Sequence, residues 1–223
     1  MFAGHLGAAL VAKSVEPRPS LGVYVAAAYG LDMLWPVFLL AGVESVRIQP
    51  GATPFTPLVF LSYPWSHSLA MTVVWGGLAA LAMTRFVGTR IASLAVGLVV
   101  VSHWFLDWIT HVPDLPLWPG GPLEGLGLWR STTSTLLVEG TFFIAAIAAY
   151  VRRTRARDAA GRRAFWGLVV LVTLIWVSGP FSPPPPSVGA IIVVGIVGAL
   201  LLPAWSAYID RHRVHPAAET VGP

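Results

Sequence analysis

The chain has 223 residues, 56% of them hydrophobic and only 11% charged, with a mean hydropathy of +0.73. That balance excludes an ordinary soluble domain and points to one polytopic membrane domain. The net charge of +4 does not suggest nucleic acid, because nearly half of the basic residues sit in one short loop, and the lack of cysteine excludes disulfides, iron–sulfur clusters and thiolate zinc sites.

The amino-terminal stretch 2–12 is apolar, but its first basic residue, Lys13, follows the apolar run. A secretory signal has the opposite order, so the stretch is expected to stay in the mature protein. At ~1.5 Å per residue it is too short to span a bilayer, and it reads as a half-span or re-entrant helix. Membrane spans are expected near residues 21–43, 66–84, 90–112, 134–151, 164–180 and 187–208. The fold class is therefore all-α: a helical bundle of about six transmembrane helices plus the short amino-terminal one. Residues 1–210 form a single membrane domain and 211–223 a polar tail.

The loop 152–163 carries Arg152, Arg153, Arg155, Arg157, Arg162 and Arg163. The positive-inside rule places it in the cytoplasm. Alternation then puts Lys13 and Arg18, Arg85 and Arg90, and the tail with Arg211 and Arg213 on the same side. Loops 44–65, 113–133 and 181–186 face outward and hold only Arg47 and Arg130. Turn formers fill 113–122, Trp118 and Trp129 suit an interfacial aromatic belt, and 182–187 is a polyproline connector. An integral membrane protein with its Arg-rich loop and carboxy terminus in the cytoplasm fits this pattern.

Ionisable residues inside spans are costly and mark function by default. His103, Asp107 and His111 follow one another at i, i+4 spacing and share one helix face. Asp32 lies near the middle of the first span, and His67 opens the second, with Ser66 a natural N-cap. His5 sits on the short amino-terminal helix, about 12 Å from Lys13 along its axis. Glu139 lies in the outer third of the fourth span, and Asp114 stands with His111 at the mouth of the third. His212 and His215 lie on the other side, apart from this set.

Histidines and aspartates from several helices can fix one or two cations and leave a position open for water. The expected ligands are His5, Asp32, His67, His103, Asp107 and His111, with Glu139 and Asp114 as proton-transferring carboxylates. The cofactor is a divalent metal ion, zinc foremost, with manganese, iron and nickel compatible with imidazole and oxygen donors. The substrate is an amphiphile or lipid entering from the outer leaflet. Two other functions use the same residues: a transporter or ion-conducting protein, and a structural or accessory protein held by interhelical polar bonds. The sequence sets no oligomeric state.

At these positions the chain resembles the bacterial membrane-bound metal-dependent hydrolase family, also called LexA-binding inner-membrane hydrolase-like. The elements that match in order are His5, Asp32, Ser66-His67-Ser68, and Ser102-His103 with Asp107. They cover roughly residues 1–115, and the stretches YPWSHSL, SHWFLDWITHVPDLPLWPGG and GLGLW look like a divergent branch of such proteins. The resemblance implies a membrane-embedded metal-dependent hydrolase. Two positions depart from its pattern. Ser62, Tyr63 and Pro64 stand where the family often has His-Arg-Gly, and Leu34 stands where it tends to have a second aspartate.

Overall fold

The computed structural model describes residues 1–216. The last seven residues of the expected polar tail, 217–223, lie outside the described residues. The fold is helical, with three two-stranded ribbons at its ends.

The first helix, α1 (Ala3–Val15), is buried along most of its length. At 13 residues it covers about 20 Å, short of the ~30 Å hydrocarbon core, as its apolar run implied. It lies between α2 (Leu21–Ala28), α6 (Arg90–Thr110) and α7 (Thr132–Arg153). Leu6 and Leu10 fill the core beside Tyr24, Tyr150, Phe165 and Leu168, all at most 1% exposed. Tyr29 Oη donates to the Phe2 carbonyl at 2.8 Å and ties down the start of α1.

The first expected span is broken. The helix α2 and its successor α3 (Gly30–Leu40) meet at Tyr29 with a bend of 52°. After α3 the chain forms a hairpin of β1 (Ser45–Ile48) and β2 (Leu58–Ser62), paired antiparallel. The second expected span is interrupted as well. Pro64 occupies the first turn of a short helix, α4 (Pro64–His67), and Ser68 then turns extended before α5 (Leu69–Met83). Ser68, not the expected Ser66, is the residue that caps this span, accepting from the backbone of Met71. Proline fixes the start of a separate turn one step earlier, which displaces the cap by two residues.

The remaining helices start at side-chain caps. Thr89 caps α6, Ser131 caps α7, Asp158 caps α8 (Ala159–Ser178) and Ser187 caps α9 (Val188–Arg211). Such caps satisfy backbone donors that the helix itself leaves open. Between α6 and α7 lies a ribbon of β3 (Leu115–Pro116) and β4 (Leu123–Glu124). A last ribbon pairs β5 (Arg155–Ala156) with β6 (Arg213–Val214).

The all-α membrane bundle is the expected one, with these breaks dividing two of its expected spans. Among the described residues, four helices are long and apolar enough to cross a membrane, or five with α2–α3 as one bent span. At 15 residues α5 reaches only about 22 Å, because the break at Ser68 removed its first turn. It packs tightly on α6 through facing glycines: a Cβ built on Gly97 would lie 2.6 Å from the Gly76 carbonyl. The apolar surface of α9 turns away from the protein, as lipid contact requires.

Candidate metal centre

Four helices bring their polar residues to one end of the bundle. His5 comes from α1, Asp32 from α3, His67 from α4, and His103 and Asp107 from α6; His111 follows α6 directly. The helical ladder places His103, Asp107 and His111 together, and the two breaks aim Asp32 and His67 at them. Every expected ligand except Asp32 is at most 5% exposed. The Asp32 side chain is 40% exposed and faces a cavity of about 150 Å3. Trp35, Phe60 and Trp129 wall this cavity, and the indole Nε1 atoms of both tryptophans are buried without a hydrogen-bond partner.

Asp107 is the hub. Its Oδ2 lies 3.1 Å from His103 Nε2, 3.8 Å from His111 Nε2 and 3.9 Å from His67 Nε2. Its Oδ1 lies 3.1 Å from His5 Nε2 and also contacts the amino group of Met1. Asp32 Oδ1 is 3.5 Å from His67 Nε2 and 3.8 Å from His103 Nε2. His5 stacks flat on His103, with ring centroids 3.8 Å apart.

The tautomers follow from the outer contacts. His103 Nδ1 sits 2.7 Å from the Ala28 carbonyl, which can only accept, so Nδ1 carries the proton. Ser66 Oγ donates to Glu44 Oε2 at 2.6 Å, which uses its one hydrogen. His67 Nδ1, 2.7 Å from the same oxygen, therefore donates to it. His111 Nδ1 donates to Asp114 Oδ1 at 2.9 Å. Three imidazoles, each engaged at Nδ1 by an outer acceptor, thus turn Nε2 toward one buried carboxylate. His103 Nε2 has no hydrogen-bond partner despite its 3.1 Å approach to Asp107. Nε2 atoms gathered on a carboxylate need a cation or protons among them, and the outer contacts at Nδ1 are the kind that orient metal-ligating histidines.

The donor set fits a divalent cation. His5, His103 and Asp107 offer ligand atoms within 4.8 Å of one another, and so do Asp32, His67 and His103. Ligands around a four-coordinate zinc stand roughly 3.5 Å apart. His111 approaches from the mouth, where Trp129 packs on it at 3.9 Å between ring centroids.

The two carboxylates expected to move protons are placed differently. Asp114 lies at the mouth, where Tyr63 Oη donates to it at 2.9 Å. Burial, and then Asp114 itself, push the Tyr63 phenol well above its usual range, so it stays a donor. Glu139 is fully buried, and both of its oxygens are engaged: Oε1 accepts from Gly4 N and Oε2 from Trp176 Nε1, each at 2.9 Å. His212 and His215 lie away from the cluster, His212 on Asp158 and His215 on the Ser14 carbonyl.

Sequence reasoning missed Glu44, Tyr63 and the Ala28 carbonyl. Glu44 left one signal: it is the only acidic residue between Asp32 and Asp107. The Ala28 carbonyl left none, since its availability depends on the bend.

No curated protein and no solved structure matches the chain significantly. A family model for the YdjM inner membrane protein matches residues 56–183. That stretch is more than half of the chain and carries His67, His103, Asp107, His111 and Asp114, together with the helices that hold them. The chain therefore belongs to the YdjM inner membrane protein family and is an integral inner-membrane protein.

Proposed function

We propose that the protein is a membrane-embedded metal-dependent hydrolase whose site opens to the outer, non-cytoplasmic face. The observation that carries this reading is the convergence of three imidazole Nε2 atoms on Asp107, each imidazole oriented by a separate outer partner. Polar glue between helices needs no such uniform tautomer. His5, Asp32, His67, His103, Asp107 and His111 would hold the ion. When bound, a divalent cation supplies Lewis-acid polarisation of a carbonyl or phosphoryl oxygen and makes water a stronger acid.

The chain's own residues do the rest. Asp32, exposed to the cavity, is the carboxylate nearest to an entering polar group. Asp114 keeps the proton on His111 Nδ1 and is the carboxylate at the mouth that can take up a released proton. Trp35 and Trp129 wall the cavity with indole N–H groups that have no partner, and these would be the donors for a substrate oxygen. Glu139 acts by position, fixing α1 so that His5 faces Asp107.

A cavity of about 150 Å3 admits a head group and not an acyl chain. The substrate is accordingly an amphiphile, lipid-like or phosphate-bearing, whose tail stays in the bilayer. The arginine-rich segment 152–163 supports the orientation, because it lies at the Lys13 end of α1 and is expected in the cytoplasm.

Elemental analysis of the purified protein tests the metal. Stoichiometric transition metal is expected, and His103→Ala or Asp107→Ala should abolish its retention. Unchanged metal content in both variants sinks the reading. Hydrolysis is then assayed on chromogenic amphiphilic phosphoesters and carboxylic esters, where product release must require both the metal and Asp107.

A further inference from the structure

A second cavity, of about 260 Å3, lies at the other end of the bundle, among the ends of α1, α7 and α9. Lys13 is eight residues beyond His5 on α1, and Tyr150 is eleven beyond Glu139 on α7. These separations are roughly 12 and 16 Å along the helix axes. The cavity therefore shares no wall with the His/Asp cluster.

Four cationic side chains line it: Lys13, Arg18, Arg157 and Arg213. Lys13 Nζ is committed to Asp210 at 2.8 Å and to the carbonyls of Pro17 and Pro19. That pair neutralises the one carboxylate of the lining. Arg18 is paired with Glu16 at 3.1 Å on the exposed rim. Arg157 and Arg213 meet no carboxylate among the described residues.

Arg213 is only 8% exposed. Its guanidinium lies 4.8 Å over the Phe165 ring and 5.3 Å over that of Tyr150. Its acceptors are both on Thr154, Oγ1 at 2.9 Å and the carbonyl at 3.4 Å. A buried guanidinium satisfied only by neutral oxygens is costly, and the aromatic backing holds its planar fork rigid. In the same wall the Tyr150 hydroxyl is fully buried and has no hydrogen-bond partner. His215 gives Nε2–H to the Ser14 carbonyl and leaves Nδ1 unpartnered.

We propose that this cavity is a binding site for a phosphate group. A phosphate is what the two unpaired guanidinium groups and the idle phenol would together satisfy: it accepts bidentate arginine contacts and a hydroxyl donor at once. The group belongs either to free phosphate or to the head of an anionic lipid, which basic pockets between membrane helices are suited to bind.

Purified full-length protein tests this directly. Thermal unfolding in neutral detergent is followed against inorganic phosphate, with chloride as control at equal ionic strength. In parallel, native mass spectrometry compares lipid retention from phosphatidylglycerol and phosphatidylcholine nanodiscs. Stabilisation by phosphate in detergent identifies the free anion, whereas selective retention of phosphatidylglycerol alone identifies the head group; either upholds the site. The double variant Arg157→Gln/Arg213→Lys, which removes both unpaired forks but keeps a cation over the Phe165 and Tyr150 rings, should weaken the response roughly tenfold or more. His103→Ala should leave it intact. The proposal is overturned if neither ligand differs from its control, if the double variant binds like the parent, or if the response disappears with His103.

Discussion

Replacing Glu44 with glutamine tests whether outer contacts set the chemistry of the cluster. Glu44 Oε1 accepts from the backbone of Trp65 at 2.9 Å and of Ser66 at 2.8 Å, and Oε2 accepts from Ser66 Oγ at 2.6 Å. In Glu44→Gln the amide oxygen keeps both backbone bonds. The new NH2 faces the Ser66 hydroxyl and can only donate. Ser66 then receives that hydrogen bond and turns its own proton toward His67 Nδ1. The imidazole must accept there, so its proton moves to Nε2, which points at Asp32 and Asp107. An Nε2–H is no longer a ligand. The lost charge-assisted bond is worth about 1.5–3 kcal/mol and the amide bond regains about 1, so the metal-free protein loses only about 1–2 kcal/mol. Metal affinity should fall about 10- to 100-fold, the usual effect of disturbing an outer contact. Competition with a chelator of known affinity measures this, with unfolding temperatures taken in excess metal and without it. Metal-dependent stabilisation should shrink by about 1.4–2.7 kcal/mol at saturating metal. In a His67→Ala background, Glu44→Gln should change metal affinity no further. Parental affinity in Glu44→Gln, or full additivity with His67→Ala, refutes the tautomer argument.

Two other predictions concern the frame. Glu139→Ala leaves the Gly4 N–H and the Trp176 indole N–H as buried orphans, so a loss of about 2–5 kcal/mol is expected. Weaker metal binding should accompany it as α1 carries His5 away, and a variant as stable as the parent would contradict the anchoring role. Asp158 lies outside the membrane, where the Gly161 N–H and then His212 hold its carboxyl below the usual range. Because the folded group is the stronger acid, its contribution is present above the unfolded pKa and is lost as pH falls through the folded value. Asn at 158 keeps the cap but not the charge paired with His212 at 2.7 Å. The gap in unfolding temperature between parent and Asp158→Asn should therefore exist near neutral pH and close in acid, and a gap that persists in acid argues against the pairing.

Much of this arrangement was legible from spacing alone. The i, i+4 ladder of His103, Asp107 and His111 needs only a helix to converge, and a 21-residue helix is what forms there. Asp32, His67 and His5 were legible as costly membrane residues, although nothing in their spacing says that they meet. The helix breaks were hidden because hydropathy averages over them: Ala28-Tyr29-Gly30 and Ser66-His67-Ser68 sit inside otherwise apolar runs. Glu44 was hidden for another reason. It lies in a loop between spans where a carboxylate is unremarkable, and only the β1–β2 hairpin folds it back under α4. The same limit applied to Glu139, whose burial was foreseeable but whose partners, Gly4 and Trp176, lie 135 and 37 residues away.

The breaks and the cluster are one feature. A continuous helix through residues 21–40 would use the Ala28 carbonyl for its own ladder. The 52° bend releases that carbonyl, and His103 Nδ1 takes it. Backbone freed at membrane depth must be satisfied within the protein, so the bend requires a buried donor from a neighbouring helix. A histidine meets that requirement while keeping a second nitrogen for other work; serine or threonine would end the matter at the carbonyl. The break at Ser68 acts similarly. It stops α4 at His67, so that the imidazole projects into the cluster from a short turn anchored by Glu44 rather than from the side of a long helix. Both interruptions shorten the spans, and both turn an imidazole Nε2 toward Asp107.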